Sequence, residues 1–153
     1  MGSPAMPVLW ICGPPCVGKS TTGWNLYDGL MAAGRSVAYV DIDQLGICYP
    51  ARPWDADRHD LKARNLGGVL KNFRETGARL AIVSGVVTPE AVPIYVDGCE
   101  GSAIRFCRLR LNRHELATRN RAMREQIAEV IRNWSAGMSA SRKSCATPST
   151  SRR

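Results

Sequence analysis

The sequence predicts an α/β fold built on a central parallel sheet. Three observations carry that prediction. Short apolar runs alternate with helix-period segments along the 153 residues. No apolar run approaches the roughly 20 residues that a membrane span needs. A glycine-rich segment stands where a first strand would hand over to a first helix. Strand–helix alternation of this kind builds parallel sheets covered by helices, because each crossover lays its helix on a sheet face. The length suits one domain with its own core.

The elements follow in order. Residues 8–12 (VLWIC) form a short continuous apolar run, as a strand buried on both faces requires. The segment ahead of it carries no basic residue, so it does not read as a secretory signal. Residues 19–33 predict a helix with Leu26, Leu30 and Met31 as its apolar stripe, stopped by Gly34. Residues 37–40 predict a second strand ending at Asp41-Ile42-Asp43, and residues 46–56 an irregular segment marked by Pro50 and Pro53. Between 58 and 76, Leu61, Leu66, Val69, Leu70 and Phe73 recur at helical spacing, closed by Gly77. Residues 80–83 (LAIV) predict a third buried strand, 89–96 a short helix entered at Pro89, and 104–111 a fourth strand. Leu116, Met123, Ile127, Val130, Ile131 and Trp134 then mark a long amphipathic helix. Beyond Trp134 the chain turns Ser/Thr/Arg-rich, which predicts a domain over residues 1–134 and a disordered basic tail over 135–153.

The glycine-rich segment carries the chemistry. Gly13-Pro14-Pro15-Cys16-Val17-Gly18-Lys19-Ser20 fits GxxxxGK[ST] at every fixed position, between a strand and a helix. Gly13 and Gly18 permit backbone conformations that a side chain would block. The N–H groups of this loop and of the following helix end then surround phosphates with donors. Lys19 is placed to reach the β- and γ-phosphates, the Ser20 hydroxyl to ligate Mg²⁺, and Thr21 to meet the α-phosphate. The pattern predicts a three-layer P-loop NTPase fold that binds ATP and Mg²⁺.

The carboxylates at 41 and 43 narrow this to phosphoryl transfer. Ligands of open parallel sheets gather at strand carboxyl ends. One of Asp41 and Asp43 is placed to hold Mg²⁺ through water, and the other to accept the proton of an attacking hydroxyl. The alternative for this pair is a turn that caps the next segment. The third strand ends in Ser84-Gly85 without the acid of a Walker B motif, and no NKxD-like guanine-reading sequence occurs. Both absences argue against a motor ATPase or a regulatory GTPase. His114-Glu115 begins an HExxH-like pattern whose fifth residue is Thr118, so a zinc site is rejected.

GPPCVGKST, the Asp41/Asp43 pair and ADRHDLKARN at 56–65 together resemble the adenylylsulfate kinase branch of the P-loop kinases, over roughly residues 8–111. The resemblance implies that Asp43 is the catalytic carboxylate and that Arg58 and Arg64 contact the acceptor. Shikimate, gluconate and antibiotic-modifying kinases share the plan. The shikimate kinases have a similar Gly-rich end to strand 3, which adds Ser84 and Gly85 as acceptor-binding candidates. Ile42, Gln44 and the run 84–87 depart from the adenylylsulfate kinase pattern and point to a different acceptor. The family's last strand and helix, which complete its adenine pocket, have no counterpart here. Either the chain end is altered or adenine is held in another way.

Charge is divided unevenly. Residues 1–104 carry nine Lys/Arg against ten Asp/Glu, and 105–153 carry twelve against three, so the basic excess is wholly C-terminal. Arg108, Arg110, Arg113, Arg119, Arg121 and Arg124 stand where these kinases carry a lid, whose arginines clamp the transferring phosphoryl group. Arg121 and Arg124, three apart, can point the same way. The six cysteines form no CxxC pair and read as reduced cytosolic thiols, with Cys16 a filler of the phosphate loop. The prediction is a cytoplasmic ATP-dependent kinase acting on a hydroxyl of a small molecule. The alternatives are a degenerate ATP-binding protein and a nucleic-acid 5′-hydroxyl kinase.

Overall fold

The computed structural model describes residues 5–144. The chain divides after Leu111 into two compact units. The first holds a sheet of four parallel strands: β1 (Met6–Cys12), β2 (Val37–Asp41), β3 (Leu80–Ser84) and β4 (Ser102–Arg108), in the order β2-β3-β1-β4. Three helices cross between them: α1 (Lys19–Ala32), α2 (His59–Glu75) and α3 (Val92–Gly98). The α/β class and the parallel sheet are as the apolar alternation requires.

Central β1 explains its own composition. It pairs with β3 on one side and β4 on the other, Trp10 opposite Val83 and Phe106. Val8, Trp10, Ile11 and Cys12 are buried accordingly. Trp10 meets Tyr95 edge-on at 4.7 Å between ring centroids, and its indole N–H donates to Gly85 O at 3.3 Å. Leu66 and Leu70 of α2 fill the same core with Ala63 and Cys99. Burying each large apolar side chain contributes about 1.5–3 kcal/mol, which is why these few positions hold the sheet and α2 together.

Two expectations about packing need correction. Leu26 and Met31 of α1 are exposed, and the helix buries Gly23 and Lys19 instead. The cause is the close approach of Tyr39. A Cβ on Gly23 would lie 2.8 Å from the Tyr39 ring, so a glycine, not a leucine, faces the sheet. The fourth strand ends at Arg108 rather than 111. Leu109 N–H donates to Cys12 O at 2.8 Å and the chain then leaves the ladder.

The second unit is the helix α4 (Arg113–Ser144). Asn112 starts it, its side-chain oxygen accepting from Glu115 N–H at 2.8 Å. The helix continues through residues 135–144, which composition assigned to a disordered tail. The expected burial of Ile127, Val130, Ile131 and Trp134, and the tail at 145–153, lie outside the described residues.

Burial of the α3 end has a pH consequence. Desolvation pushes the Cys99 thiol up to about 11 from an ordinary 9.0 and the Tyr95 phenol up further, the Asp43 and Asp55 carboxylates adding to the burial of the phenol. A thiol raised in the folded state stays protonated there while the unfolded chain releases its proton. Its stabilising contribution is whole below pH 9.0 and lost as the pH rises through about 11, on the order of 3 kcal/mol in all. Thermal melts should therefore fall steeply across that window and fall less in Cys99→Ala. Parallel pH profiles for the two proteins would contradict this account.

Candidate active site

The loop after β1 has the backbone that phosphate binding requires. Gly13 and Gly18 sit at φ 146° and 103°, and Cys16 at 61°. Such left-handed residues turn successive N–H groups toward one side. Gly13 has a second constraint, since a Cβ there would lie 2.7 Å from Leu109 O, where the chain leaves β4. No side chain caps α1, whose first helical bond runs from Thr22 N–H to Gly18 O at 2.9 Å. The amides of the first turn are left for an anion. Lys19 is 8% exposed, and its ammonium donates to Pro14 O at 2.9 Å, holding the loop closed over its own lysine.

Across the loop mouth the second strand delivers its carboxylates. The Ser20 hydroxyl donates to Asp41 Oδ2 at 2.8 Å. Asp41 Oδ1 accepts from Asp43 N–H at 3.1 Å and so caps the 3-10 turn Ile42–Gly46. Asp41 thus caps the turn, the alternative weighed for the pair, and faces Ser20 as well. The pair supplies two hard oxygen donors beside a phosphate loop. Mg²⁺ in phosphate sites keeps several waters and takes only one or two protein oxygens. The donor set fits it, with no cluster of three acidic, histidine or cysteine ligands among the described residues.

Asp43 lies further out, its carboxylate 53% exposed and 3.4 Å from the Lys62 ammonium. Both line a cavity of about 480 Å³ with Gly46, Ile47, Cys48, Tyr49 and Arg58. Arg58 thus shares this cavity with Asp43. Arg64 does not line this cavity. It pairs with Asp60 one helical turn away at 2.8 Å on the exposed face of α2.

Ser84 and Gly85, expected to meet the acceptor, are buried within the end of β3 and line neither this cavity nor the cleft beside the loop. The Ser84 hydroxyl is bonded to Tyr39 OH at 2.8 Å. Gly85, at φ 144°, donates to Ile11 O at 3.1 Å, and a Cβ there would collide with Ile42 Cγ2. Its part is to let β3 end beneath the Ile42–Asp43 turn. Gly85→Ala should lower stability by about 1–3 kcal/mol from backbone strain alone, with the Ile42 collision adding to that. An unchanged melting temperature would refute this.

On the other flank of the loop, Gly13, Pro14, Val86, Val87, Pro89, Val92 and Phe106 line an apolar cleft of about 480 Å³, with Arg108 at its edge. Burial pushes the Cys12 thiol at its base upward, against the pull of Arg108. Arg121 and Arg124 lie on α4, in the second unit, both exposed.

Lys62, Ile47 and Tyr49 are site-lining residues that the sequence reading passed over. Lys62 had a usable signal: it follows Arg58 by four positions, and its N–H donates to Arg58 O at 2.8 Å in the first turn of α2. The segment 46–58 had none. Its start is tied to α2, where Asn65 Nδ2 donates to Leu45 O at 2.8 Å, and within it Arg58 Nε donates to Cys48 O, ten positions away, at 3.2 Å.

Comparison with known proteins bears on the fold. The family model described as chromatin associated protein KTI12 matches residues 6–66, from β1 into α2. No curated protein sequence matches the chain. Among solved structures, APE1195 superposes with a TM-score of 0.60 at 16% identity, covering 84% of this chain and 73% of that one. The APS kinase CysC of Mycobacterium tuberculosis, in complex with AMPPNP and APS, superposes at 0.56 and 19% identity, covering 77% and 70%. A chain of the Pnkp1/Rnl/Hen1 RNA repair complex superposes at 0.57 and 19% identity, covering 82% of this chain but only 40% of that one. At these identities the likeness is one of fold.

Proposed function

We propose that this protein binds ATP with Mg²⁺ and transfers the γ-phosphate to a hydroxyl of a small molecule. One observation carries the reading. The phosphate loop, the Ser20–Asp41 pair and the Asp43 carboxylate at a cavity mouth follow one another along the strand ends. In this reading residues 13–21 hold the phosphates, with Lys19 on the β- and γ-phosphates. Ser20 directly, and Asp41 through water, hold Mg²⁺, which when bound neutralises phosphate charge. Asp43 takes the acceptor's proton as its oxygen bonds to the γ-phosphorus. The bond to the bridging oxygen breaks, and ADP leaves with that electron pair. The fold shared with a nucleotide-bound APS kinase supports the reading.

Incubating the protein with γ-labelled ATP and a panel of hydroxylated metabolites tests the proposal. It fails if no acceptor is labelled in an Asp43-dependent manner. Tight ATP binding without any turnover would instead mark a degenerate nucleotide-binding protein. A cytoplasmic location is part of the proposal. Its support is that Cys12, Cys16, Cys48, Cys99 and Cys107 are all free, and that no helix among the described residues is long and apolar enough to cross a membrane.

A second reading, a nucleic-acid 5′-hydroxyl kinase, has one observation in its favour. Tyr49 and Trp54 are 94% and 76% exposed in the segment leading to Arg58. The Arg52 guanidinium lies 5.7 Å from the centre of the Trp54 ring. Exposed aromatics beside cations can stack bases. Oligonucleotide binding that weakens steeply between low and moderate salt would favour this reading, and a flat response would remove it.

A further inference from the structure

We propose that the cavity beside Asp43 binds an acidic head group, a carboxylate or a phosphate, and that Lys62 together with Arg58 selects for it. As the head group of the acceptor it rests on the kinase reading; as an anion site it stands alone.

The lining argues for an anion. One carboxylate, Asp43, faces two cations, Arg58 and Lys62, and the remaining lining residues are Gly46, Ile47, Cys48 and Tyr49. The cavity therefore carries a net positive wall. The Lys62 ammonium is only loosely engaged, 3.4 Å from Asp43 Oδ1, where a tight charged hydrogen bond would measure about 2.7–2.9 Å. It has no other hydrogen-bond partner among the described residues. Its stem is nevertheless fixed. The side chain is 15% exposed and runs across Gly46, where an added Cβ would come within 2.5 Å of Lys62 Cε. A side chain at position 46 would push the ammonium away from the cavity.

Arg58 supports the same assignment independently. It is one of two non-glycine residues described with positive φ, at 59°. That conformation costs roughly 1–2 kcal/mol in an ordinary residue. It is held by the bonds of Arg58 N–H to Asp55 O at 2.9 Å and of Nε to Cys48 O at 3.2 Å. Both bonds leave the two outer guanidinium nitrogens without a protein partner among the described residues. A planar donor fork and a loosely held ammonium on one wall match the two oxygens of an acidic group. An acid bound there draws Lys62 away from Asp43 and leaves that carboxylate free for the acceptor hydroxyl.

Calorimetric titration tests this on the full chain with Mg²⁺ and the non-hydrolysable analogue AMPPNP held saturating. Glycerate, glycerol 3-phosphate and glycerol share one skeleton and differ in the head group. The expected result is at least tenfold tighter binding of one or both acids than of glycerol. Glycerate and glycerol 3-phosphate then tell a carboxylate site from a phosphate site. Lys62→Met keeps the stem over Gly46 and should erase most of the preference, Arg58→Gln likewise, while Lys62→Arg retains it. AMPPNP affinity and melting temperature should not change in Lys62→Met. Acids binding no tighter than glycerol, including no binding by any of the three, overturn the inference, as does a preference that survives both substitutions. Failure of the kinase reading looks different: the acids bind and no phosphoryl group moves. Turnover of neutral acceptors at least as efficient as that of their acidic counterparts would leave the kinase reading standing and this inference refuted.

Discussion

Alanine at Lys19 should remove most ATP affinity from a chain that still folds. The Lys19 ammonium is largely buried, and its hydrogen bond within the protein is to one backbone carbonyl, Pro14 O at 2.9 Å. No carboxylate among the described residues pairs with it. A buried charge without a counter-ion is unfavourable, and an arriving phosphate supplies the missing anion. Each charge-assisted hydrogen bond lost costs about 1.5–3 kcal/mol, so the affinity should drop by at least about ten- to a hundredfold. Without nucleotide, Lys19→Ala should melt at or above the parent's temperature, because the uncompensated charge is gone. With Mg²⁺ and ATP the parent should gain stability by mass action and the variant should not. Lys19→Arg should fail to restore the shift, since a planar guanidinium does not fit a loop closed around an ammonium. A variant that keeps the full nucleotide-dependent shift would refute the assignment of this loop.

Asparagine at Asp43 should separate chemistry from binding. The substitution keeps the size of the side chain and the Asp43 N–H bond to Asp41 that shapes the turn. It removes the proton acceptor. General-base loss typically costs about 10²–10⁴ in rate, so kcat should fall by that factor while the affinity for Mg²⁺ and ATP stays within a few-fold. Asp41→Asn should show the opposite weighting, with weaker dependence on Mg²⁺ and disturbed capping of the turn, because Asp41 bonds both Ser20 and Asp43 N–H. Steady-state rates at saturating and limiting Mg²⁺ distinguish the two variants. If Asp43→Asn retains parental kcat on an identified acceptor, the hydroxyl proton goes elsewhere and the carboxylate is structural.

Much of the sheet was legible because its strands are buried on both faces. VLWIC and LAIV can be nothing but apolar when strands flank them on either side. Helix α2 was legible for a related reason: Leu66 and Leu70 repeat where one face meets the core. Helix α1 was misread in its packing. Its contact with the sheet runs through Gly23 against Tyr39, and a glycine leaves no apolar signal in the sequence. The roles first given to Ser84 and Gly85 came from resemblance, and resemblance does not report burial. Tyr39 takes the serine hydroxyl, and Ile42 lies where any Gly85 side chain would be. Arg64 likewise looked like a ligand residue, yet Asp60 one turn earlier on the helix claims it.

The sequence by itself determined the phosphate loop and the order of strands and helices around it. The loop's donors are contiguous backbone groups, so eight consecutive residues specify their arrangement. Apolar periodicity needs no partner residue to be read. Only the tertiary structure decided which side chains face that loop and the cavity beside it. Ser20 and Asp41 are 21 positions apart, and Asp43 and Lys62 are 19 apart. Such pairs meet because β2 lies beside β3, Gly85 lets the Ile42 turn settle on the strand end, and Gly46 lets a lysine stem cross it. These are conditions of space between distant segments, and no local pattern records them.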